Sequence, residues 1–271
     1  MSLSYRLRQH VKRPLRRRFP ALFALALAGW HGSLGRRRSQ GGKPLPRVLL
    51  ERTKGKVAHG PFAGLAYHGR SIGSVSAAKL VGSYEVELHG LLAGLAERDF
   101  EVIVDVGCAE GYYAVGLARA FPSARVVAVD PLAPARRACA RLAEDNGVAD
   151  RLVTAAWASP ARLQRWCRGR CLLLLDCEGA EEGILRPERA PALAGCVILV
   201  ELHDFLDGGL SERVLARFRG SHRCTLVEQQ PRDPAAWPVL EGLKPDFARR
   251  LLDEKRPRAL RWALLEPLAA S

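Results

Sequence analysis

Short, mainly apolar runs alternate with stretches of helical periodicity over most of the chain after residue 100. Seven of these runs predict strands: EVIVDVG (101–107), RVVAVD (125–130), RLVTAAW (151–157), LLLLD (172–176), CVILVEL (196–202), CTLVEQ (224–229) and ALRWALLEP (259–267). Strands that are apolar on both faces and separated by helices are typical of a parallel sheet covered on both sides. The pattern therefore predicts an α/β fold with a doubly wound, mostly parallel, seven-stranded sheet.

The segments between the strands predict helices, several with capping signals. Helices are expected at 83–98, 109–120, 134–145, 159–169 and 211–219. Ser159 is a favourable cap residue before a proline at the first helical position, and Gly169 is expected to end that helix. Asn146-Gly147 predicts the end of the preceding helix.

The first strand runs into a glycine-containing turn with candidate binding chemistry. Asp105, Gly107 and Gly111 form the arrangement D-x-G-x-x-x-G, and a helix is expected to follow. Glycines let the backbone approach a ligand closely, and a helix start offers N–H groups to an anion. Position 109 is Ala and position 112 is Tyr, so the G-x-G-x-x-G of dinucleotide-binding proteins is missing and a nicotinamide dehydrogenase is excluded. The loop suits a zwitterionic amino-acid tail, such as that of S-adenosylmethionine.

The second strand ends in Asp130, which is followed by Pro131. A carboxylate at this place can accept hydrogen bonds from both ribose hydroxyls of an adenosine. The structural alternative is that Asp130 only caps the helix that follows. Together with the glycine loop, Asp130 favours a ligand that joins a nucleoside to an amino acid.

Several motifs resemble those of the FkbM-type family of class I S-adenosylmethionine-dependent methyltransferases. The similar segments are GSYE (82–85), VDVGCAEGYY (104–113), VVAVDP (126–131), LLDCEGAEEGIL (174–185), VELH (200–203) and, more weakly, DEKRP (253–257) and Trp262. The chain departs from the family at Cys108, Ala109 and Glu110. The resemblance implies a Rossmann-like methyltransferase sheet, S-adenosylmethionine as cofactor, and O-methylation of a hydroxyl on a small molecule or a glycosyl group.

The candidate site residues divide into three sets. The cofactor is expected to contact Asp105, Gly107, Cys108, Gly111, Asp130, Glu85, Trp157 and Asp176. His203 and Asp176 are the candidate catalytic residues, because a hydroxyl acceptor needs a positioned base. Glu178, Tyr113 and Glu201 are expected to line the acceptor site.

The acidic and histidine residues near these strand ends allow other roles. His203 is either the base or a partner of a loop backbone. Asp176, Glu201 and His203 are a candidate set of ligands for a divalent metal, although a metal-free site is the favoured interpretation. Glu181 and Glu182 are expected in the first turn of the next helix, where acids complement the helix dipole.

The excess of positive charge is confined to the start of the chain. The net charge is +14, and residues 1–60 hold fifteen Lys and Arg against the single acid Glu51. The sequence therefore divides into a basic, helical N-terminal arm and linker (1–46) and a catalytic domain (47–271). The arm can contact nucleic acid or an anionic membrane, or be a solvated leader.

Two alternatives to the main interpretation stay open. The first is an RNA methyltransferase that uses the basic arm as a tether, and the second is a non-catalytic cofactor-binding module that serves interactions. The apolar segment 19–30 is too short to span a bilayer, and residues 1–30 are expected to pack on the domain or lie at a membrane surface. Seven cysteines without a C-x-x-C pair favour a reducing, cytoplasmic location.

Overall fold

A computed structural model describes residues 46–68, 71–205, 207–256 and 260–268. The expectations for the basic arm and for segment 19–30 concern residues outside these ranges. The helices are α1 (Arg47–Thr53), α2 (Ser76–Val81), α3 (His89–Ala96), α4 (Tyr112–Ala120), α5 (Ala133–Asp145), α6 (Pro160–Trp166), α7 (Glu181–Ile184), α8 (Leu210–Ala216) and α9 (Pro245–Leu252). The strands are β1 (Val102–Val106), β2 (Arg125–Val129), β3 (Leu152–Ala155), β4 (Cys171–Leu175), β5 (Val197–Leu202), β6 (His222–Glu228) and β7 (Arg261–Pro267).

The seven strands form one sheet in the order β3-β2-β1-β4-β5-β7-β6. The five strands from β3 to β5 pair in parallel, whereas β7 runs antiparallel to both β5 and β6. The chain starts at the centre with β1, winds outward to β3, and then returns to place β4 on the other side of β1. This confirms the predicted doubly wound, mostly parallel, seven-stranded Rossmann-like sheet.

Successive residues of each central strand contribute to two different hydrophobic clusters. Leu172 and Leu174 of β4 lie in the larger cluster with α4 and α5, whereas Leu173 and Leu175 lie in the smaller one with α6 and α8. Both faces of β4 are thus covered, which is why this strand contains no polar residue. Strand β4 is the middle strand of the seven, with all of its residues buried.

Several helix ends differ from the sequence-based expectations, and the helices predicted at 109–120 and 211–219 span Tyr112–Ala120 and Leu210–Ala216. The predicted helix 83–98 begins only at His89, after a short 3-10 turn, because Gly82 and Glu85 adopt left-handed backbone conformations. The cap at Ser159 is confirmed, since its side chain accepts a hydrogen bond from the Arg162 amide. That helix ends at Trp166 rather than at Gly169.

Two further features are the state of the cysteines and the length of the apolar helices. The seven cysteines are all free thiols. Within the described ranges there is no helix with the length and apolar character that crossing a membrane demands.

Candidate functional site

The carboxyl ends of the parallel strands bring the predicted polar residues to one edge of the sheet. Asp105 lies in β1, Asp130 follows β2, Asp176 follows β4, and Glu201 and His203 lie at the end of β5. The chain reverses its winding direction between β1 and β4, and ligands of open α/β sheets bind beside such a switch point. The sequence-predicted residues therefore lie at the edge of the sheet where ligands of such folds bind.

The glycine loop packs tightly against the end of β4. Gly107 has a φ of +97°, and a Cβ placed on it would lie 1.7 Å from the Asp176 carbonyl oxygen. Gly111 also has a φ of +97°, and its Cβ would lie 2.7 Å from Cys139 Sγ. Both positions require glycine, because a side chain would be strained and would collide with its neighbour. The loop thus places backbone without side chains at the switch point between β1 and β4.

Asp105 is buried under this loop with part of its carboxylate unsatisfied. Its side chain is 1% exposed, and Oδ2 has no hydrogen-bond partner among the described residues. Burial, together with the negative charges of Asp176 and Asp130, raises the pKa of Asp105 to about 8. A buried carboxylate oxygen without a partner is unfavourable unless a ligand supplies a donor or a positive charge. An ammonium group fits this requirement.

Asp130 is held in place by two backbone amides. Its Oδ2 accepts from Ala109 at 3.1 Å, and its Oδ1 accepts from Leu132 at 2.7 Å. Burial raises its pKa. Each carboxylate oxygen has two lone pairs, so the carboxylate retains capacity for two further donors. The anchoring amides fix Asp130 at the loop that contains Ala109, instead of leaving it as a simple helix cap.

The remaining expected cofactor contacts lie around the same edge with different surroundings. Cys108 is buried, and the hydrogen-bonded Cys139 thiol together with burial holds its pKa well above the usual range. Its side chain packs against α5. Trp157 is half-buried in the loop after β3, where its carbonyl accepts from Arg162.

A buried ion pair that was not predicted from the sequence lies on the other side of the glycine loop. Glu110 accepts from Lys79 Nζ at 2.5 Å, from Tyr67 Oη at 2.7 Å and from the Ile72 amide at 2.7 Å. Glu110 and Lys79 are each 3% exposed. Burial opposes ionisation of Glu110, but Lys79 and the hydrogen bonds bring its pKa below the usual value. The pair joins α2 to the loop, and the hydrogen bonds from Tyr67 and Ile72 join the segment before α2 to it.

His203 is oriented by a carboxylate from the neighbouring helix. Its Nδ1 lies 2.7 Å from Glu181 Oε1, and both side chains are at most 2% exposed. Burial lowers the pKa of His203, but Glu181, Asp176 and Glu178 outweigh it and raise the pKa to about 9. The same Glu181 oxygen accepts from the Gly179 amide at 3.1 Å. The imidazole is therefore fixed with Nε2 on the opposite side from α7.

Three carboxylates surround that second nitrogen. His203 Nε2 lies 3.5 Å from Asp176 Oδ1, 3.6 Å from Glu201 Oε2 and 3.9 Å from Glu178 Oε2. Glu178 is exposed and has a φ of +54°, a left-handed conformation that a non-glycine residue rarely adopts. The loop after β4 thus places Asp176 and Glu178 beside the same imidazole.

Arg256 joins three buried carboxylates at one corner of the site. It forms buried ion pairs with Glu201 at 2.6 Å, with Glu254 at 2.8 Å and with Glu85. Glu85 also accepts a hydrogen bond from the Tyr113 hydroxyl. Burial is the main cause that raises the pKa of Glu85 to about 7, although Arg256 opposes it. Glu85, expected at the cofactor, therefore lies in the same network as Tyr113 and Glu201, both expected at the acceptor.

Two interpretations of the acidic residues need correction. Glu181 does lie in the first turn of α7 as predicted, but it is fully buried against His203, so its role is not confined to the helix dipole. Glu182 pairs instead with Arg213 and Arg217, away from His203. In the candidate metal set, Glu201 is occupied by Arg256, and the third group within ligand distance is Glu178.

The residues that sequence reasoning missed are partners from distant segments. Glu254 forms buried ion pairs with both Arg232 and Arg256. Arg256 also pairs with Glu85 at the same corner of the site. Lys79, a charged residue among the apolar residues of α2, was the signal in the sequence for the buried pair with Glu110. A charged residue in an otherwise apolar helix face predicts a buried partner, although it does not identify that partner.

Comparison with known proteins gave similarity to solved structures only. No family model matches the chain, and no curated protein matches it. The O-methyltransferase TomG from Streptomyces achromogenes, solved with SAM, is 17% identical with a TM-score of 0.42, over 68% of this chain and 81% of TomG. An rRNA methylase from Streptococcus thermophilus is 18% identical with a TM-score of 0.43, over 67% of this chain and 96% of the methylase. A SAM-dependent O-methyltransferase from Thermotoga maritima is 13% identical with a TM-score of 0.44, over 69% of this chain and 67% of that enzyme.

Identities below 20% and TM-scores below 0.5 do not assign the chain to a family.

Proposed function

We propose that the chain is an S-adenosylmethionine-dependent methyltransferase that acts on a hydroxyl of a small molecule or a glycosyl group. The observation that carries the proposal is Asp105, a fully buried carboxylate with one oxygen unpartnered among the described residues, directly before a glycine loop at the switch point. An ammonium beside that oxygen removes the cost of burying it. Few ligands combine an amino-acid ammonium with an adenosine.

The remaining residues of the edge fit the rest of this ligand. The loop and the start of α4 offer backbone N–H groups to a carboxylate, since Gly107 and Gly111 permit close approach. Asp130 retains acceptor capacity for ribose hydroxyls, and Trp157 lies at the next strand end for the adenine. When bound, S-adenosylmethionine supplies an electrophilic methyl group.

The acceptor hydroxyl belongs beside Asp176 and His203. Methyl transfer to a hydroxyl requires that the O–H proton leaves and that the oxygen is held in line with the methyl group. Asp176 is one-third exposed and faces the fixed imidazole of His203 at 3.5 Å. His203 orients the hydroxyl, and the Asp176 carboxylate takes up its proton. Glu178, Glu201 and Tyr113 then line the acceptor side. The choice of oxygen as acceptor atom rests on the FkbM-type resemblance.

Calorimetric titration with S-adenosylhomocysteine tests the proposal. The full chain is expected to bind one equivalent, and Asp130→Ala should weaken binding at least tenfold because the ribose hydroxyls lose their acceptors. Asp150→Ala, at an exposed aspartate elsewhere, is the matched control and should bind as the wild type does. Absence of binding at millimolar ligand contradicts the proposed function. Unchanged affinity of Asp130→Ala contradicts the ribose contact.

A further inference from the structure

We infer that Asp176, Glu178 and His203 form a binding site for one divalent cation on the acceptor side of the site. One nitrogen of His203 and one oxygen of each carboxylate lie within 4.8 Å of one another. An imidazole combined with two carboxylates suits Mn²⁺ or Zn²⁺. The use of this cation for an acceptor hydroxyl rests on the proposed function, but the site itself is defined by these three side chains.

The distances are those of atoms arranged around a common centre. An ion about 2.1 Å from each ligand atom places the ligand atoms roughly 3.0 to 4.2 Å apart. His203 Nε2 lies 3.5 Å from Asp176 Oδ1 and 3.9 Å from Glu178 Oε2. Both distances exceed the roughly 2.7 to 3.2 Å of a hydrogen bond. Both separations fall in the range expected for two ligands of one ion.

The orientation of His203 is the second, independent observation. Histidine ligands of metals donate their other ring nitrogen to a carboxylate or carbonyl, which fixes the tautomer and the ring. Glu181 occupies that position, 2.7 Å from His203 Nδ1, and is itself fixed by the Gly179 amide at 3.1 Å. The imidazole is 98% buried, and its Nε2 is directed at the two carboxylates. This arrangement is the one that a metal-bound histidine requires.

The ligand-atom distances select the members of the site. Glu201 Oε1 lies 2.6 Å from Arg256, a cation that Glu201 shares with Glu85 and Glu254, and Glu201 is outside the group of ligand atoms that lie within 4.8 Å of one another. Asp176 and Glu178 contribute two negative charges beside an imidazole, and a divalent cation balances them.

The site is also reachable from solvent. The Asp176 side chain is 33% exposed and that of Glu178 is 55% exposed, whereas His203 lies behind them. Three protein ligands leave at least one coordination position for water or an acceptor oxygen. A cation lowers the pKa of a hydroxyl that it binds. The inferred site thus favours acceptors with a hydroxyl that can coordinate a metal.

Binding of Mn²⁺ to the full chain tests the inference directly. Free Mn²⁺ is counted by electron paramagnetic resonance, with and without saturating S-adenosylhomocysteine. One saturable equivalent is expected. Glu178→Gln should weaken it at least tenfold, and because Glu178 is exposed this variant should keep its fold. Glu188→Gln, at an exposed glutamate that pairs with Arg186, is the matched control and should bind Mn²⁺ normally.

The outcomes separate this inference from the proposed function. Retained S-adenosylhomocysteine binding without saturable Mn²⁺ or Zn²⁺ binding up to millimolar concentration overturns the metal site alone. Equal loss in Glu178→Gln and Glu188→Gln means nonspecific binding by surface acids and also overturns it. His203→Gln gives a second measurement: wild-type Mn²⁺ affinity in that variant contradicts the assignment of His203 as a ligand.

Discussion

Glu181 and His203 form a buried carboxylate–imidazole pair, with Oε1 2.7 Å from Nδ1, although 22 residues separate them in the chain. Glu181 begins α7 and His203 follows β5. The contact arises because β4 and β5 are parallel neighbours, so that the segments after both strands meet at one edge. Through this pair, α7 fixes the direction in which His203 Nε2 points, toward Asp176 and Glu178.

Glu181→Gln is expected to reduce Mn²⁺ affinity and methyl transfer by about tenfold to a hundredfold, because the fixed ring loses its charged partner. Mn²⁺ titration and turnover with an acceptor measure the effect. Glu182→Gln is the matched control, since Glu182 lies in the same turn but pairs with Arg213 and Arg217. An equal loss in both variants would attribute the effect to the helix instead of the histidine.

Gly107→Ala should destabilise the protein by at least about 2 kcal/mol, because a strained φ and a backbone collision add. The new Cβ would lie 1.7 Å from the Asp176 carbonyl oxygen. Gly147→Ala is the control, with a φ of +67° but no atom within 4 Å of its Cβ. Urea unfolding compares the two variants. Equal losses would show that the collision at Gly107 is relieved by a local shift.

Lys79→Met is expected to cost about 3 to 5 kcal/mol of unfolding free energy, because it leaves the Glu110 carboxylate buried without its cation. The double variant Lys79→Met/Glu110→Gln should recover part of this loss. A double-mutant cycle measured by urea unfolding gives the coupling between the two residues. Additive effects would mean that the 2.5 Å contact contributes no coupling to the folded state.

Acid should weaken the fold partly through Glu110. Its pKa is lowered in the folded protein because Lys79 and its hydrogen bonds outweigh burial. The stabilisation is therefore present above the unfolded pKa, about 4.3, and is lost as pH falls through the lower folded value. Glu110→Gln should be less stable than the wild type at neutral pH, with a gap that narrows below pH 4. Unfolding curves between pH 3 and 7 measure this gap, and a constant gap would contradict the pKa direction.

Arg256→Met should destabilise the chain by about 3 kcal/mol or more, since three buried carboxylates lose one shared cation. Glu85, Glu201 and Glu254 are these partners. Arg249→Met, at an exposed arginine that pairs with Asp246, is expected to have little effect. Thermal unfolding distinguishes the two. A small effect of Arg256→Met would mean that the carboxylates protonate at little expense.

Local patterns were sufficient for the sheet and for one half of the site. LLLLD predicted a strand covered on both faces, and Asp105, Asp130, Asp176 and His203 follow or end strands whose carboxyl ends must share one edge. Parallel pairing makes that convergence unavoidable. The positions of these residues could therefore be predicted without contacts.

The partners of those residues could not be predicted in the same way. Arg256 reaches Glu85 across 171 positions, and Lys79 reaches Glu110 across 31. Neither pair has a fixed spacing or a shared element, so no periodicity connects them. Glu181 looked like a helix-dipole residue because its position in the first turn is favourable for any acid.

The sequence alone determined the strands, the coverage of the central strands on both faces, the glycine loop and the set of acids at the strand ends, because these depend on local hydrophobic period and backbone freedom. The expected coverage was wrong for the outer strands β3 and β6, which are largely exposed. Tertiary structure decided which acids face which cations. It assigned Glu201 to Arg256, Glu181 to His203, and Asp176 with Glu178 to the opposite ring nitrogen. The reason is physical: the free energy of a charge depends on its burial and on neighbours that only the folded chain brings within a few ångströms.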